Sequence, residues 1–169
     1  MVATRLERIA MVGAGLTGTY LALDWARAGH PVTIYDVDHE RARTAPERTR
    51  EIGAELVRGG VTDQTALDEA LTRLASTPDL QAAVGQADYV AEAIVKDLPT
   101  KQALFGELDA LCSERTVLAS NTSSLLPSAL AQRTSHPERL LVVHCFFPAH
   151  LLPAVEVVPG ARPPSRSPR

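Results

Sequence analysis

Between an apolar run at residues 8–12 and a helical pattern from Leu16 to Ala28 stands Gly13-Ala14-Gly15-Leu16-Thr17-Gly18, a G-x-G-x-x-G sequence. The next run, Val32-Thr33-Ile34-Tyr35, is rich in β-branched residues and ends in an acid, Asp36. Leu16, Tyr20 and Leu23 recur at helical spacing, and Gly29 is a natural helix stop. Strand, glycine turn, helix and strand within about thirty residues make a βαβ unit. Glycines in this pattern arise by chance elsewhere, but directly after a strand and at the start of a helix each has a task. Gly13 permits a tight turn, Gly15 leaves the backbone open to close approach, and Gly18 lets the helix pack near the strand.

The rest of the chain continues the alternation. Residues 38–58 are rich in Arg, Glu and Ala and read as a helix; Asp63 caps a helix expected over 64–75. Residues 88–95 read as a strand, Leu98 to Leu111 as an amphipathic helix with Pro99 in its first turn, and 116–119 as a strand running into the polar loop Ser120-Asn121-Thr122-Ser123-Ser124. The last two strands are expected at 140–143 and 154–158. Alternating strands and helices imply an α/β fold, a Rossmann-type doubly wound and mostly parallel sheet with helices on both faces. One domain is expected over 1–158, followed by a disordered Pro/Arg/Ser tail at 159–169.

In that fold the first turn is a dinucleotide site. Residues Gly13, Ala14, Gly15, Leu16, Thr17 and Gly18 offer backbone amides and the positive end of a helix to a pyrophosphate. Asp36 accepts hydrogen bonds from ribose hydroxyls and repels a 2′-phosphate, so NAD is the cofactor expected rather than NADP. The following helix carries Arg41, Arg43, Arg48 and Arg50. One of them could in principle meet a 2′-phosphate; a solvated face is the reading adopted.

Composition removes other classes of function. A net charge of −3 with scattered arginines leaves no electrostatic footprint for nucleic acid. No apolar run approaches the roughly 18–20 residues that cross a bilayer, and the first eight residues lack a signal-peptide core, so a cytoplasmic location is expected. Cys112 and Cys145 make neither a disulfide framework nor a metal site.

Near the C-terminal strands stand a histidine, a carboxylate and a hydroxyl: His144, Glu156 and Ser123. If their two strands are neighbours, Glu156 can orient one imidazole nitrogen and leave the other free to take a proton from an alcohol. A histidine at a strand end is equally at home as a structural residue. His150 is a competitor for the same role, while His30, His39 and His136 read as loop or surface residues. The polar loop holding Asn121 and Ser123 is open to both readings, since polar residues fill most such turns.

The stretches IAMVGAGLTG, ARAGHPVTIYD, ADYVAEAIVKDLPTKQALF and SNTSSLLPS, then His144 to Pro148 with HLLPAVEVVPG, follow one another over roughly residues 7–160. In this order they resemble the NAD-binding domain of the 3-hydroxyacyl-CoA dehydrogenases and their small hydroxy-acid relatives, such as gulonate and carnitine dehydrogenases. The resemblance implies that Gly13, Gly15, Gly18 and Asp36 hold the dinucleotide, with Lys101 as a further NAD contact. It makes Ser123 the serine that touches substrate, His144 the base and Glu156 its partner.

The chain also departs from that pattern. Phe147 stands where the family has a cofactor-contacting asparagine, and Lys96 where it has a glutamate. A cation beside an oxidised nicotinamide weakens NAD⁺ if it points inward. The family continues into an all-helical domain that closes the site and makes the dimer. The Pro/Arg/Ser stretch does not resemble that continuation, so this domain is expected to be absent and the exposed face to favour self-association. Two functions follow. One is NAD-dependent oxidation of a secondary alcohol, a 3-hydroxyacyl-CoA or a small hydroxy acid; the loop sequences and the scarcity of lysines lean toward the free acid. The other is a module that holds NAD with little turnover of its own.

Overall fold

Ile9–Val12 (β1) is buried on both faces, which is what a central strand of a sheet covered on two sides requires. Ile9 and Met11 face one way, toward Leu23, Ile34 and Leu67; Ala10 and Val12 face the other, toward Val90, Phe105 and Leu118. This alternation divides the core into two layers. The computed structural model describes residues 7–149, 152 and 154–160. His150 and the tail from 161 onward lie outside the described residues.

After β1 come α1 (Leu16–Arg27), β2 (Val32–Tyr35), α2 (His39–Arg58), α3 (Gln64–Leu71), β3 (Leu74–Thr77), α4 (Leu80–Val84) and β4 (Tyr89–Glu92). The second half adds α5 (Leu98–Leu111), β5 (Val117–Ser120), the short α6 (Pro127–Leu130), β6 (Leu140–Cys145) and β7 (Val155–Val158). The sheet order is β3-β2-β1-β4-β5-β6-β7, parallel throughout except for the antiparallel β6–β7 pair. Strand order reverses direction between β1 and β4, and the carboxyl ends of those strands open the crevice in which such sheets bind ligands. The doubly wound architecture is as expected.

The segment 64–75 differs. The helix stops at Leu71, and Leu74–Thr77 pairs in parallel with β2 as the edge strand. Local periodicity carries the helix too far because the hydrogen bonds that make β3 a strand come from β2, 42 residues earlier in sequence at every pair of the register. The five-residue α4 and the four-residue α6 are also absent from the sequence reading; both are too short to show a period. Gly160, read as tail, lies close against the carbonyls of Leu140 and Pro137. No helix among the described residues is long and apolar enough to cross a membrane.

At the end of the sheet away from the crevice, α5 is tied to the turn that leads into β6 by a buried ion pair. The Arg139 guanidinium donates to Asp109 Oδ1 from Nε at 3.0 Å and from Nη2 at 2.6 Å, and to the Ser113 carbonyl. The Ser135 amide donates to Asp109 Oδ2 at 2.6 Å. His136, read as a loop or surface residue, lies in a loop, partly exposed, and stands 3.3 Å from the same carboxylate. Burial opposes ionisation of Asp109, but Arg139, the Ser135 amide and His136 outweigh it and hold its carboxyl below the ordinary range. Because the folded value is the lower one, this stabilisation is complete above the unfolded value of about 3.9 and is lost as pH falls through the folded one. Asp109→Asn is therefore expected to cost about 3 kcal/mol at neutral pH, since Arg139 then stays buried without a counter-charge. In urea unfolding the gap from wild type should close as the solution is acidified below about pH 4; a gap that does not change with pH would show that the pair contributes nothing to acid stability.

Candidate functional site

Four helices begin at an aspartate that accepts backbone hydrogen bonds: Asp38 from the Glu40 amide at 2.9 Å, Asp63 from Ala66 at 2.8 Å, Asp79 from Ala82 at 3.1 Å and Asp97 from Thr100 at 3.0 Å. The helix α1 has no such cap. Its first-turn amides face the crevice with no side-chain acceptor, which leaves them for an anion. Gly13 sits at φ +109°, and a β-carbon there would lie 2.7 Å from the Ala93 carbonyl oxygen. A β-carbon at Gly18 would collide with the Gly13 carbonyl oxygen, whereas one at Gly15 would meet nothing within 4 Å. Two glycines thus serve packing, and the third keeps open a space that no protein atom uses.

Asp36 ends β2 beside this turn. Its Oδ2 accepts from the Ala14 amide at 2.8 Å and its Oδ1 from the Asp38 amide at 2.9 Å. These bonds hold the carboxylate still and leave further lone pairs for two hydroxyls. A hollow of about 380 Å³ opens next to it, lined by Gly15, Val37, Arg41, Ile94 and Thr100. Val37 is 79% exposed, an apolar surface suited to a base. Arg41 also pairs with Asp38 at 3.6 Å.

A second hollow shares Ala93 and Ile94 with the first and is lined by Thr17, Lys96, Lys101, Asn121 and Ser123. A third shares Thr122 and Ser123 with the second and reaches Pro127, Val142 and Glu156. Together they form a trough across the carboxyl ends of the parallel strands, from Asp36 to Glu156. The uncapped helix end, the open space at Gly15 and the held carboxylate fit a dinucleotide along its first part.

At the far end, the antiparallel register sets His144 directly opposite Glu156. His144 Nδ1 lies 3.7 Å from Glu156 Oε2 and is buried without a hydrogen-bond partner among the described residues. The ring leans on Phe146 with centroids 5.0 Å apart. Asn121 braces this corner: its Oδ1 accepts from the Cys145 amide at 2.8 Å, and its own amide donates to the Glu92 carbonyl at 2.8 Å. Phe147 packs edge-on against Tyr20 of α1, centroids 5.0 Å apart.

Lys101 lines the trough, yet its ammonium is spent below it. Nζ donates to Oε1 of Glu92, a fully buried carboxylate that also accepts from the Ile94 amide at 2.7 Å and from Ser120 Oγ at 2.6 Å. Glu92 and Ser120 were not singled out by sequence reasoning. The available signal was a glutamate inside the apolar strand Tyr89-Val90-Ala91-Glu92-Ala93-Ile94, a position tolerated only with a partner.

The glycines can be tested separately. Gly18→Ala is expected to destabilise the fold by about 1–3 kcal/mol, because turn and helix must part. Gly15→Ala should leave the melting temperature unchanged while NADH affinity, followed by fluorescence titration, falls at least about tenfold. Wild-type affinity in Gly15→Ala would mean that no pyrophosphate crosses that residue.

Comparison with known proteins agrees with this architecture. The family described as 3-hydroxyacyl-CoA dehydrogenase, NAD binding domain, matches residues 8–166. The chain is 32% identical over 152 residues to the lambda-crystallin homolog of Homo sapiens, covering 89% of this chain and 48% of that protein. It is 34% identical over 155 residues to a probable 3-hydroxybutyryl-CoA dehydrogenase of Bacillus subtilis, covering 92% of this chain and 54% of the relative. The crystal structure of 3-hydroxybutyryl-CoA dehydrogenase from Escherichia coli K12 superposes with a TM-score of 0.85 at 32% identity, over 91% of this chain and 32% of the other. The chain spans about half the length of these two curated relatives.

Proposed function

Because this chain belongs to the family of 3-hydroxyacyl-CoA dehydrogenase NAD-binding domains, we propose that it takes part in NAD-dependent oxidation of a secondary alcohol to a ketone. The observation that carries this reading is the His144–Glu156 pair, set opposite each other by strand register at the end of the trough that begins with the glycine turn. Glu156 orients the imidazole through Nδ1 and stabilises its protonated form. Nε2 is then free to accept the hydroxyl proton of the substrate. Ser123, which lines both the second and third hollows, donates a hydrogen bond to the same substrate oxygen. The dinucleotide held by the glycine turn and Asp36 would supply the hydride acceptor, while His144 would take the hydroxyl proton, so that the alcohol gives up one proton and one hydride in all.

Gly13, Ala14, Gly15, Leu16, Thr17, Gly18 and Asp36 would hold the dinucleotide. Asn121 keeps the end of β6 in place, and Lys101 shapes the floor of the trough through Glu92. The names of the relatives favour a 3-hydroxyacyl thioester as substrate over the free hydroxy acid to which the loop sequences lean.

A second reading, a module that binds NAD with little turnover, draws on a different observation. Glu156 is 57% exposed in its side chain, and its 3.7 Å separation from His144 is longer than a hydrogen bond. Phe146, which packs on the His144 ring, is exposed, as are Leu152, Val155 and Val157 in and before β7, apolar surface that favours association with another copy or a covering domain. Incubating the chain with NAD⁺ and either 3-hydroxybutyryl-CoA or free hydroxy acids, and following NADH absorbance, separates the two. Turnover that depends on His144 supports the dehydrogenase; NADH binding without turnover of any of these substrates supports the module.

A further inference from the structure

Two lysines line the second hollow, one beside a counter-charge and one without. Lys101 is buried and neutralised by Glu92. Lys96, on the loop between β4 and α5, is exposed and lines the same hollow beside Thr17, Asn121 and Ser123. Among the described residues no ion pair or hydrogen bond joins it. Its chain neighbour Asp97 is engaged by Thr100, whose amide lies at 3.0 Å and whose hydroxyl lies at 2.5 Å. Of the other carboxylates of the trough, Asp36 stands in the first hollow, where it accepts two backbone amides, and Glu156 stands in the third. Neutral donors leave Asp97 and Asp36 ionised, but neither lines the second hollow, and among the residues that do, Lys96 is the charge without a counter-charge.

We propose that Lys96 makes this site discriminate between the redox states of its cofactor, holding the reduced, neutral nicotinamide in preference to the oxidised, cationic one. The proposal rests on the reading above, in which Asp36 and Val37 take the adenosine end and the glycine turn takes the pyrophosphate. The nicotinamide half is then directed into the hollow of Thr17, Lys96 and Ser123. The two forms of the cofactor differ by one unit of charge, and that charge lies in this half of the molecule. An ammonium in a water-exposed cleft repels it through a high dielectric, which corresponds to about a three- to tenfold difference in affinity. A site of this kind binds NADH at lower concentrations than NAD⁺, so that NADH inhibits alcohol oxidation and the ketone-reducing direction needs less cofactor.

Isothermal titration of the full chain with NAD⁺, NADH and ADP-ribose, which lacks the nicotinamide, tests this. In Lys96→Gln the ratio of the NAD⁺ to the NADH dissociation constant should fall about three- to tenfold, mainly through tighter NAD⁺, whereas Lys96→Arg should keep the wild-type ratio. The effect should shrink in high salt, as for any exposed charge. ADP-ribose should bind all three proteins alike. An unchanged ratio with ADP-ribose binding intact overturns the role of Lys96 and leaves the dinucleotide reading standing. Weaker ADP-ribose binding in Lys96→Gln overturns it too, by placing the lysine on a phosphate. Failure of ADP-ribose to bind the wild-type chain overturns the dinucleotide reading and the proposal with it.

Discussion

Replacing His144 with alanine is expected to lower kcat for alcohol oxidation by about 10²–10⁴, the range that a positioned general base contributes. NADH affinity should stay at its wild-type value. The hollows that fit the dinucleotide are lined by Gly15, Asp36, Val37, Thr17 and Asn121, and His144 is not among their residues. The loss should thus fall on kcat and not on cofactor binding, the pattern expected when an interaction made in the transition state is removed. Folding can be followed independently through Trp25, the only tryptophan, which packs edge-on against Tyr89 with centroids 5.8 Å apart. A variant with native Trp25 emission and turnover within tenfold of wild type would move the base elsewhere in the trough.

Lys101→Met is expected to cost the fold about 3–5 kcal/mol, the usual result of leaving one member of a buried ion pair alone. The Glu92 carboxylate has no exposed surface, and without Lys101 its remaining partners are Ser120 Oγ and the Ile94 amide, neither of which carries charge. The double variant Glu92→Gln/Lys101→Met should recover much of the loss, because the charge that suffers is then also gone. Urea unfolding monitored at Trp25 gives both numbers. A cost below about 1 kcal/mol together with weakened NADH binding would make Lys101 a cofactor ligand first and a structural pin second. The distinction matters because family resemblance assigns Lys101 to the cofactor, whereas its ammonium here is engaged by Glu92.

The first sixty residues were legible because each element carries its own signal. Gly13, Gly15 and Gly18 sit at fixed spacing, the β1 run is apolar, and Asp63, just beyond, marks the next helix start. The strand β3 was not legible: Leu74-Ala75-Ser76-Thr77 has no strong alternation, and it is a strand only because β2 offers an open edge. That the loop residue His136 meets a carboxylate was not legible for the same kind of reason, since Asp109 is on α5, 27 residues away in sequence.

Taken alone, the amino-acid order determined the βαβ unit, the doubly wound class and the residue types able to receive a dinucleotide, because turns, caps and periodicity act over a few residues. Only the tertiary structure decided which charges are free. Lys96 and Lys101 are five positions apart and nothing in their spacing says which is paired, but long-range packing buries Lys101 on Glu92 and leaves Lys96 unpaired in the trough. Whether His144 meets Glu156 was likewise a matter of strand register, a property of two segments together that neither one encodes by itself.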